Sequence, residues 1–266
     1  MNPQFGNGVT LIFDDLGPRG GAPVILIHGH PFNRSMWAPQ TAALTAAGYR
    51  VIAPDLRGYG ESPVLPGKAL LADLADDLAS LLASLGVEQV VVGGVSMGGQ
   101  IAMELRLRHP GLVRALVLSD TSPVPETDDG RKLRLETAER LIAEGLRPYA
   151  EEVIDKMLAP YNVTGMPEAA ARVSAMMCAT DPQGAAAALR GRAERPDYRP
   201  VLAETTEPCL VLVGADDVYT PVAEAEALHA LLPNAVLTVI EGAGHLPGVE
   251  QPEAFNRALL EFLAGL

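Results

Sequence analysis

The stretch Val90-Val91-Val92-Gly93-Gly94-Val95-Ser96-Met97-Gly98-Gly99-Gln100-Ile101 passes from a β-branched apolar run, through a serine flanked by glycines, into a helical pattern. Residues 90–93 read as a strand buried on both faces, and the helix runs through 100–108. A serine at so sharp a strand-to-helix turn takes a strained backbone, and side chains two residues to either side would collide there; Gly94 and Gly98 leave the room. Ser96 is thereby lifted above the strand end as a candidate nucleophile, against the plainer reading of a capping serine in a glycine-rich turn. As the residue that opens the helix, Met97 offers its backbone N–H to a developing oxyanion.

Working outward, short apolar runs at 9–13, 24–28, 51–53 and 115–119 read as further strands. Between them, Leu70, Leu71, Leu74, Leu78, Leu81, Leu82 and Leu85 recur at helical spacing, with Asp73, Asp76 and Asp77 expected on the opposite side. Strand, helix, strand implies an α/β chain with a parallel sheet. From 121 to about 200 the strand signal disappears into Ala, Arg, Glu and Met punctuated by Pro, which predicts an inserted helical cap on a core of residues 1–120 and 201–266. Runs at 209–213 and 236–240, followed by helices at 221–232 and 252–263, return the chain to the sheet.

Two loops supply an acid and a base. Gly214-Ala215-Asp216-Asp217-Val218-Tyr219-Thr220-Pro221 follows one strand and Gly242-Ala243-Gly244-His245 follows the last, so Ser96, an aspartate and His245 can converge at the carboxyl ends of parallel strands. The residues alone leave the acid open between Asp216 and Asp217, with Asp120, at the end of 115–119, as a third carboxylate in reach. An earlier strand ends in His28-Gly29-His30-Pro31-Phe32, a tight loop whose His30 N–H is the expected second oxyanion donor, while the His28 ring is expected to satisfy loop carbonyls.

With thirty-three acids against twenty Lys and Arg, the net charge is −13, a field that repels nucleic acid and anionic membrane. Residues 121–200 hold eleven cations against thirteen acids, so the cap is electrostatically milder, and an Arg there is a candidate for admitting an anionic substrate, although a solvated helix face explains most of these charges. Met1-Asn2-Pro3-Gln4-Phe5-Gly6 has neither a basic nor an apolar leader region, and no run is long enough to span a membrane, so a cytoplasmic location is expected. Cys178 and Cys209 have no metal-ligand spacing, and no metal is expected.

With these residues placed, the chain resembles the alpha/beta-hydrolase fold family from about 9 to 263. The resemblance is carried by His28-Gly29-x-Pro31, Asp55-Leu56-Arg57-Gly58-Tyr59-Gly60-Glu61-Ser62, the Ser96 turn, Gly214-x-x-Asp217-x-x-x-Pro221 and Gly242-x-Gly244-His245. It implies a mostly parallel eight-stranded sheet flanked by helices, and it selects Asp217 as the acid, since the carboxylate of that spacing holds the role in the family. Asp55 and Arg57 are expected to form a structural pair beneath the site. Serine at 96 argues against the dehalogenases and epoxide hydrolases of the family, which use aspartate there. Small bacterial carboxylesterases are the most similar group, with enol-lactonases, carbon–carbon bond hydrolases and cofactor-free perhydrolases close by. The implied activity is hydrolysis of a small-molecule ester or lactone by water without a cofactor, and a homo-oligomer stays open; the rival from another class is a ligand-binding receptor on the same fold. Phe32, Met157, Met176 and Met177 are the candidates for an apolar substrate pocket, with methionines packed between cap helices as the alternative.

Overall fold

The computed structural model describes residues 9–266; the leader reading at Met1–Gly6 lies outside them. The strands are β1 (Phe13–Leu16), β2 (Pro23–Ile27), β3 (Arg50–Pro54), β4 (Val90–Val95), β5 (Val113–Ser119), β6 (Cys209–Gly214) and β7 (Ala235–Ile240). They form one seven-stranded sheet in the order β1-β3-β2-β4-β5-β6-β7, antiparallel only between β1 and β3. Seven strands among the described residues replace the eight expected from the resemblance.

The strand expected at 9–13 is also displaced. Val9 and Leu11 are buried in the core, but the Ile12 N–H donates to Ser62 Oγ at 2.8 Å and the Ile12 carbonyl accepts from the Asp55 N–H at 2.8 Å. Those backbone groups are used by the 55–62 loop, so the ladder starts only at Phe13.

Alternation along the central strands divides the core in two. Ile25, Ile27, Val90, Val92, Leu116 and Leu118 pack on one face against α2 (Leu71–Ser84), α3 (Met97–Arg108) and α10 (Val222–Leu231). Val24, Leu26, Val91, Val95, Ala115 and Val117 pack on the other against α1 (Ala38–Ala46) and α12 (Pro252–Ala264), with the short α11 (Pro247–Glu250) just before α12. Burial on both faces is why these strands read as continuous Val and Ile runs.

Between β5 and β6 the chain is helical, with α4 (Asp128–Glu144), α5 (Arg147–Met157), α6 (Pro160–Gly165), α7 (Pro167–Ala179), α8 (Pro182–Arg192) and α9 (Arg199–Ala203). Every one of these except α4 begins with Pro in its first turn, where the missing N–H costs no intrahelical bond. Ala138 and Leu141 of α4 meet Ala185, Ala186 and Leu189 of α8 in a small core of their own.

The expected Asp55–Arg57 pair does not form. Asp55 is fully buried and occupied by the Arg34 guanidinium together with the Arg34 and Glu61 N–H groups at 2.8 and 2.9 Å. Arg57 instead makes a two-pronged contact with Asp77 at 2.5 Å, and Asp77 is buried on the inner side of α2 rather than with Asp76 outside. Because Asp77 is 1 % exposed, Asp77→Ala should cost about 3 kcal/mol by leaving Arg57 unpaired. Urea unfolding checks this, and a loss below about 1 kcal/mol would mean the pair contributes no more than a surface one.

Candidate active site

Ser96 joins β4 to α3 at φ 54° and ψ −117°, a left-handed backbone that a non-glycine residue holds only when its surroundings impose it. The imposition is steric. A Cβ on Gly94 would lie 2.3 Å from the Gly98 carbonyl, and one on Gly98 would lie 2.2 Å from the Ile27 carbonyl oxygen. Strand, turn and helix therefore touch backbone to backbone. The Ser96 N–H donates to the Ser119 carbonyl at 2.9 Å, and the Ser96 carbonyl accepts from Thr121 Oγ1 at 2.8 Å, which locks the turn to the end of β5.

The loop after β2 lies against this serine, since a Cβ on Gly29 would be 3.5 Å from Ser96 Cβ. Its turn is closed by the Phe32 N–H on the Gly29 carbonyl at 3.0 Å, with His30 and Pro31 at the tip and the bond between them cis. His28 is structural: Nε2 accepts the Leu56 N–H at 3.0 Å, which leaves Nδ1 to donate to the Gly29 carbonyl at 2.9 Å. His30 Nδ1 meets Tyr59 Oη at 2.7 Å, whereas its Nε2 is buried without a partner.

His245 Nδ1 meets Asp217 Oδ2 at 2.8 Å, and both side chains are almost fully buried. Asp217 also accepts from the Thr220 hydroxyl on Oδ2 and from the Tyr219 N–H at 2.8 Å on Oδ1. Burial works to raise this carboxyl, but His245, Thr220 and the Tyr219 N–H outweigh it and hold Asp217 below its usual value. Asp216, its neighbour, is exposed and accepts from the Tyr161 hydroxyl. Sequence spacing did not single out Thr220, Tyr219 or Tyr59; a hydroxyl three residues after the acid was the readable signal for Thr220.

Asp120 sits behind this pair at φ 47°. It accepts from the Ser119 hydroxyl and, at 2.9 Å, from the Gly214 N–H. Burial, and then the adjacent Asp217 carboxylate, push Asp120 well above the usual carboxylate range. Asp120, Asp217 and His245 bring ligand-type atoms within 4.8 Å of one another. A cation there would have to compete with the donors already on both oxygens of Asp217.

Ser96, His30 and His245 all line one cavity of ≈ 670 Å³, walled on its far side by α4, α5 and α8. Met157 lines it as well. Phe32, Met176 and Met177 do not: Phe32 and Met177 are fully buried among apolar side chains, and Met176 lies partly buried with its sulfur 3.3 Å from Ser35 Oγ. The loop of His245 is tied to the helical insertion by Glu250, which accepts from the Gly244 and Ala159 N–H groups at 2.7 Å and from Asn162 at 2.8 Å.

Residues 22–252 match the family model described as alpha/beta hydrolase fold, and the chain belongs to that family. It is 30% identical over 252 residues to 3-oxoadipate enol-lactonase 2 of Acinetobacter baylyi, covering 94% of this chain and 92% of that one. To 2-hydroxy-6-oxononadienedioate/2-hydroxy-6-oxononatrienedioate hydrolase of Paraburkholderia xenovorans it is 32% identical, covering 96% and 91%. Among solved structures, a thermophilic esterase from Thermogutta terrifontis (malate bound) superposes with a TM-score of 0.96 at 39% identity, covering 100% of this chain and 98% of that one. The chain is thus a hydrolase of the alpha/beta family, and no described helix is long and apolar enough to cross a membrane.

The upward push on Asp120 makes the stability of the fold depend on pH. Below about pH 4 the group is protonated both folded and unfolded; as pH rises further the unfolded chain ionises while the folded one keeps its proton, so stability falls. Asp120→Asn presents an acceptor to Gly214 and a donor toward Asp217 with no such slope. Its stability relative to wild type should grow between pH 5 and pH 8 in urea unfolding, and a difference that stays constant with pH would mean Asp120 is ionised in the folded protein.

Proposed function

We propose that the chain is a serine hydrolase of carboxylic esters, with Ser96 as nucleophile, His245 as general base and Asp217 as the acid that orients it. The observation that carries this is the Nδ1 to Oδ2 bond of 2.8 Å between His245 and a buried, ionised Asp217, in a cavity shared with Ser96. An ionised Asp217 keeps the imidazole proton on Nδ1 and leaves the Nε2 lone pair free for the Ser96 proton.

In this reading Ser96 Oγ adds to the ester carbonyl as its proton passes to His245. The oxygen that becomes negative is held by the backbone N–H groups of Met97 and His30. Met97 opens α3, so its N–H has no intrahelical acceptor, and the helix dipole favours negative charge there. His245 returns the proton to the leaving alcohol, and water then attacks the acyl-enzyme by the same steps in reverse. The insertion from 121 to about 200 acts as a cap that shapes the cavity and supplies none of the reacting groups, with Met157 an apolar contact in it.

The same constellation opens a lactone, whose alcohol stays on the acyl chain after ring cleavage. The similarity to an enol-lactonase favours testing that substrate class in parallel.

Ser96→Ala should abolish hydrolysis of 4-nitrophenyl esters and labelling by a fluorophosphonate, with circular dichroism unchanged. His245→Ala and Asp217→Asn should each lower kcat by at least about 10³-fold, whereas Asp216→Asn should change it little. Wild-type labelling of Ser96→Ala, or equal small losses at 216 and 217, would contradict the assignment. A panel of simple esters against lactones of matched carbon number separates the two substrate classes.

A further inference from the structure

Arg192 is the last residue of α8, and that helix is held where it is by two backbone contacts. A Cβ on Gly184 would lie 1.9 Å from the Gly58 carbonyl oxygen, and one on Gly191 would lie 1.8 Å from that of Ala69. The helix thus rests directly on the loops of the sheet. Its final side chain lines the cavity that holds Ser96 and His245.

The charge there is unbalanced. Arg192 is buried, and among the described residues no carboxylate lies within 4.0 Å of it; its hydrogen bond is from Nε to Gln100 Oε1 at 3.2 Å. Around it stand Arg134, and Arg195 with its Nε buried and unpartnered, and both of these turn to the one carboxylate of Glu126, with Arg195 only at 3.9 Å. Burial, then Arg134 and Arg195, disfavour the charge of Arg192. Of the acids that line the cavity, Glu136, Glu152 and Glu224 are exposed to solvent, with Glu152 paired to Arg140, and the buried Asp120 is taken up by the Ser119 hydroxyl and the Gly214 N–H. A chain of net charge −13 therefore holds an excess of cation at the buried end of its cavity. A buried guanidinium without a counter-ion is costly to keep, and a carboxylate is the group its planar fork matches.

A second group points to the same ligand. Burial, and then Arg192 and Arg134, keep the His30 ring neutral, and Tyr59 stays a phenol because burial raises it. Nδ1 is engaged by that phenol, while Nε2 is buried without a partner on a residue that lines the cavity; in the tautomer in which the phenol donates to Nδ1, Nε2 carries the proton and is a donor for an anion.

Gln100, which Arg192 binds, lies one helical turn beyond Ser96, its N–H donating to the Ser96 carbonyl at 3.2 Å. Four residues of helix rise about 6 Å along the axis, and a spacer of about three or four carbons matches that backbone separation.

We propose that Arg192, with the His30 ring beside it, forms an anion-binding subsite, and that the preferred substrates are monoesters or lactones of short dicarboxylic acids, whose free carboxylate docks there while the ester carbonyl meets Ser96. This deepens the ester-hydrolase reading and rests on it.

The test compares methyl hydrogen glutarate with methyl 4-carbamoylbutanoate, which replaces the carboxylate by a neutral amide of the same shape. Wild-type kcat/KM should favour the carboxylate by at least about tenfold, mainly through KM, as expected of a charge-assisted pair. Arg192→Gln should abolish that ratio and Arg192→Lys should retain part of it. Equal rates on the two esters in wild type, or an unchanged ratio in Arg192→Gln, overturns the subsite while leaving the ester-hydrolase reading intact. Should Arg192→Gln fail to fold, calorimetric titration of Ser96→Ala with glutarate and with glutaramide decides it without catalysis. Saturable binding of glutarate that weakens with added salt, and at least about tenfold weaker binding of glutaramide, supports the subsite. Equal or absent binding of both overturns it. Hydrolysis of neither ester, nor of 4-nitrophenyl acetate, counts against the ester-hydrolase reading, and the titration still reads the subsite.

Discussion

Backbone-to-backbone contact at Gly94 and Gly98 is the constraint on which the site depends. With no Cβ at either position, β4, the turn and α3 close to within van der Waals contact, and Ser96 is left as the one residue that must reverse the chain, at φ 54°. Two chemical properties come from that reversal together: a hydroxyl raised above the strand end, and a helix start whose Met97 N–H is unused by the helix. The parallel sheet does the rest. β4, β5, β6 and β7 are successive neighbours, so the residues following their carboxyl ends, Ser96, Asp120, Asp217 and His245, are gathered although the chain separates them widely.

The polar groups so gathered are divided by protonation state. Asp217 is buried but receives donors from Tyr219, Thr220 and His245, which keep it an anion; Asp120, buried against that anion, is pushed the other way, toward its protonated form. Two adjacent carboxyls pushed in opposite directions leave Asp217 as the favoured charged acceptor for the imidazole. Glu250 then links the His245 loop to α6 and the residue before it, which ties the helical segment between β5 and β6 to that loop.

Local chemistry was legible in the sequence and pairing across elements was not. The glycine-flanked serine, the His28–Phe32 loop and the glycine pair before His245 are each decided within a few residues, by backbone space. Asp217 and Asp216 could not be told apart until the family spacing was used, because adjacent loop residues differ only in which way the loop turns them; Asp216 meets Tyr161 and Asp217 meets His245. Asp55 and Arg57 are close in sequence yet belong to different networks, since Arg34 and Asp77 arrive from elsewhere in the fold. Helical methionines announce an apolar face but not what it faces: Met157 lines the cavity, while Met177 is packed in the core. Arg192 was one of eleven cations in its segment until α8 was placed against the sheet loops.

The central claim is that catalysis passes through an ester of the Ser96 hydroxyl. It is tested most directly by mixing the protein with 4-nitrophenyl butyrate in H₂¹⁸O, quenching within a single turnover and mapping the peptides by mass spectrometry. A butyryl group on the peptide that contains Ser96, formed and lost at the turnover rate, with no ¹⁸O in any side-chain carboxyl, is the predicted result. Unmodified Ser96 during turnover, with ¹⁸O entering the carboxyl of Asp120 or Asp217, would contradict it and make a carboxylate the nucleophile.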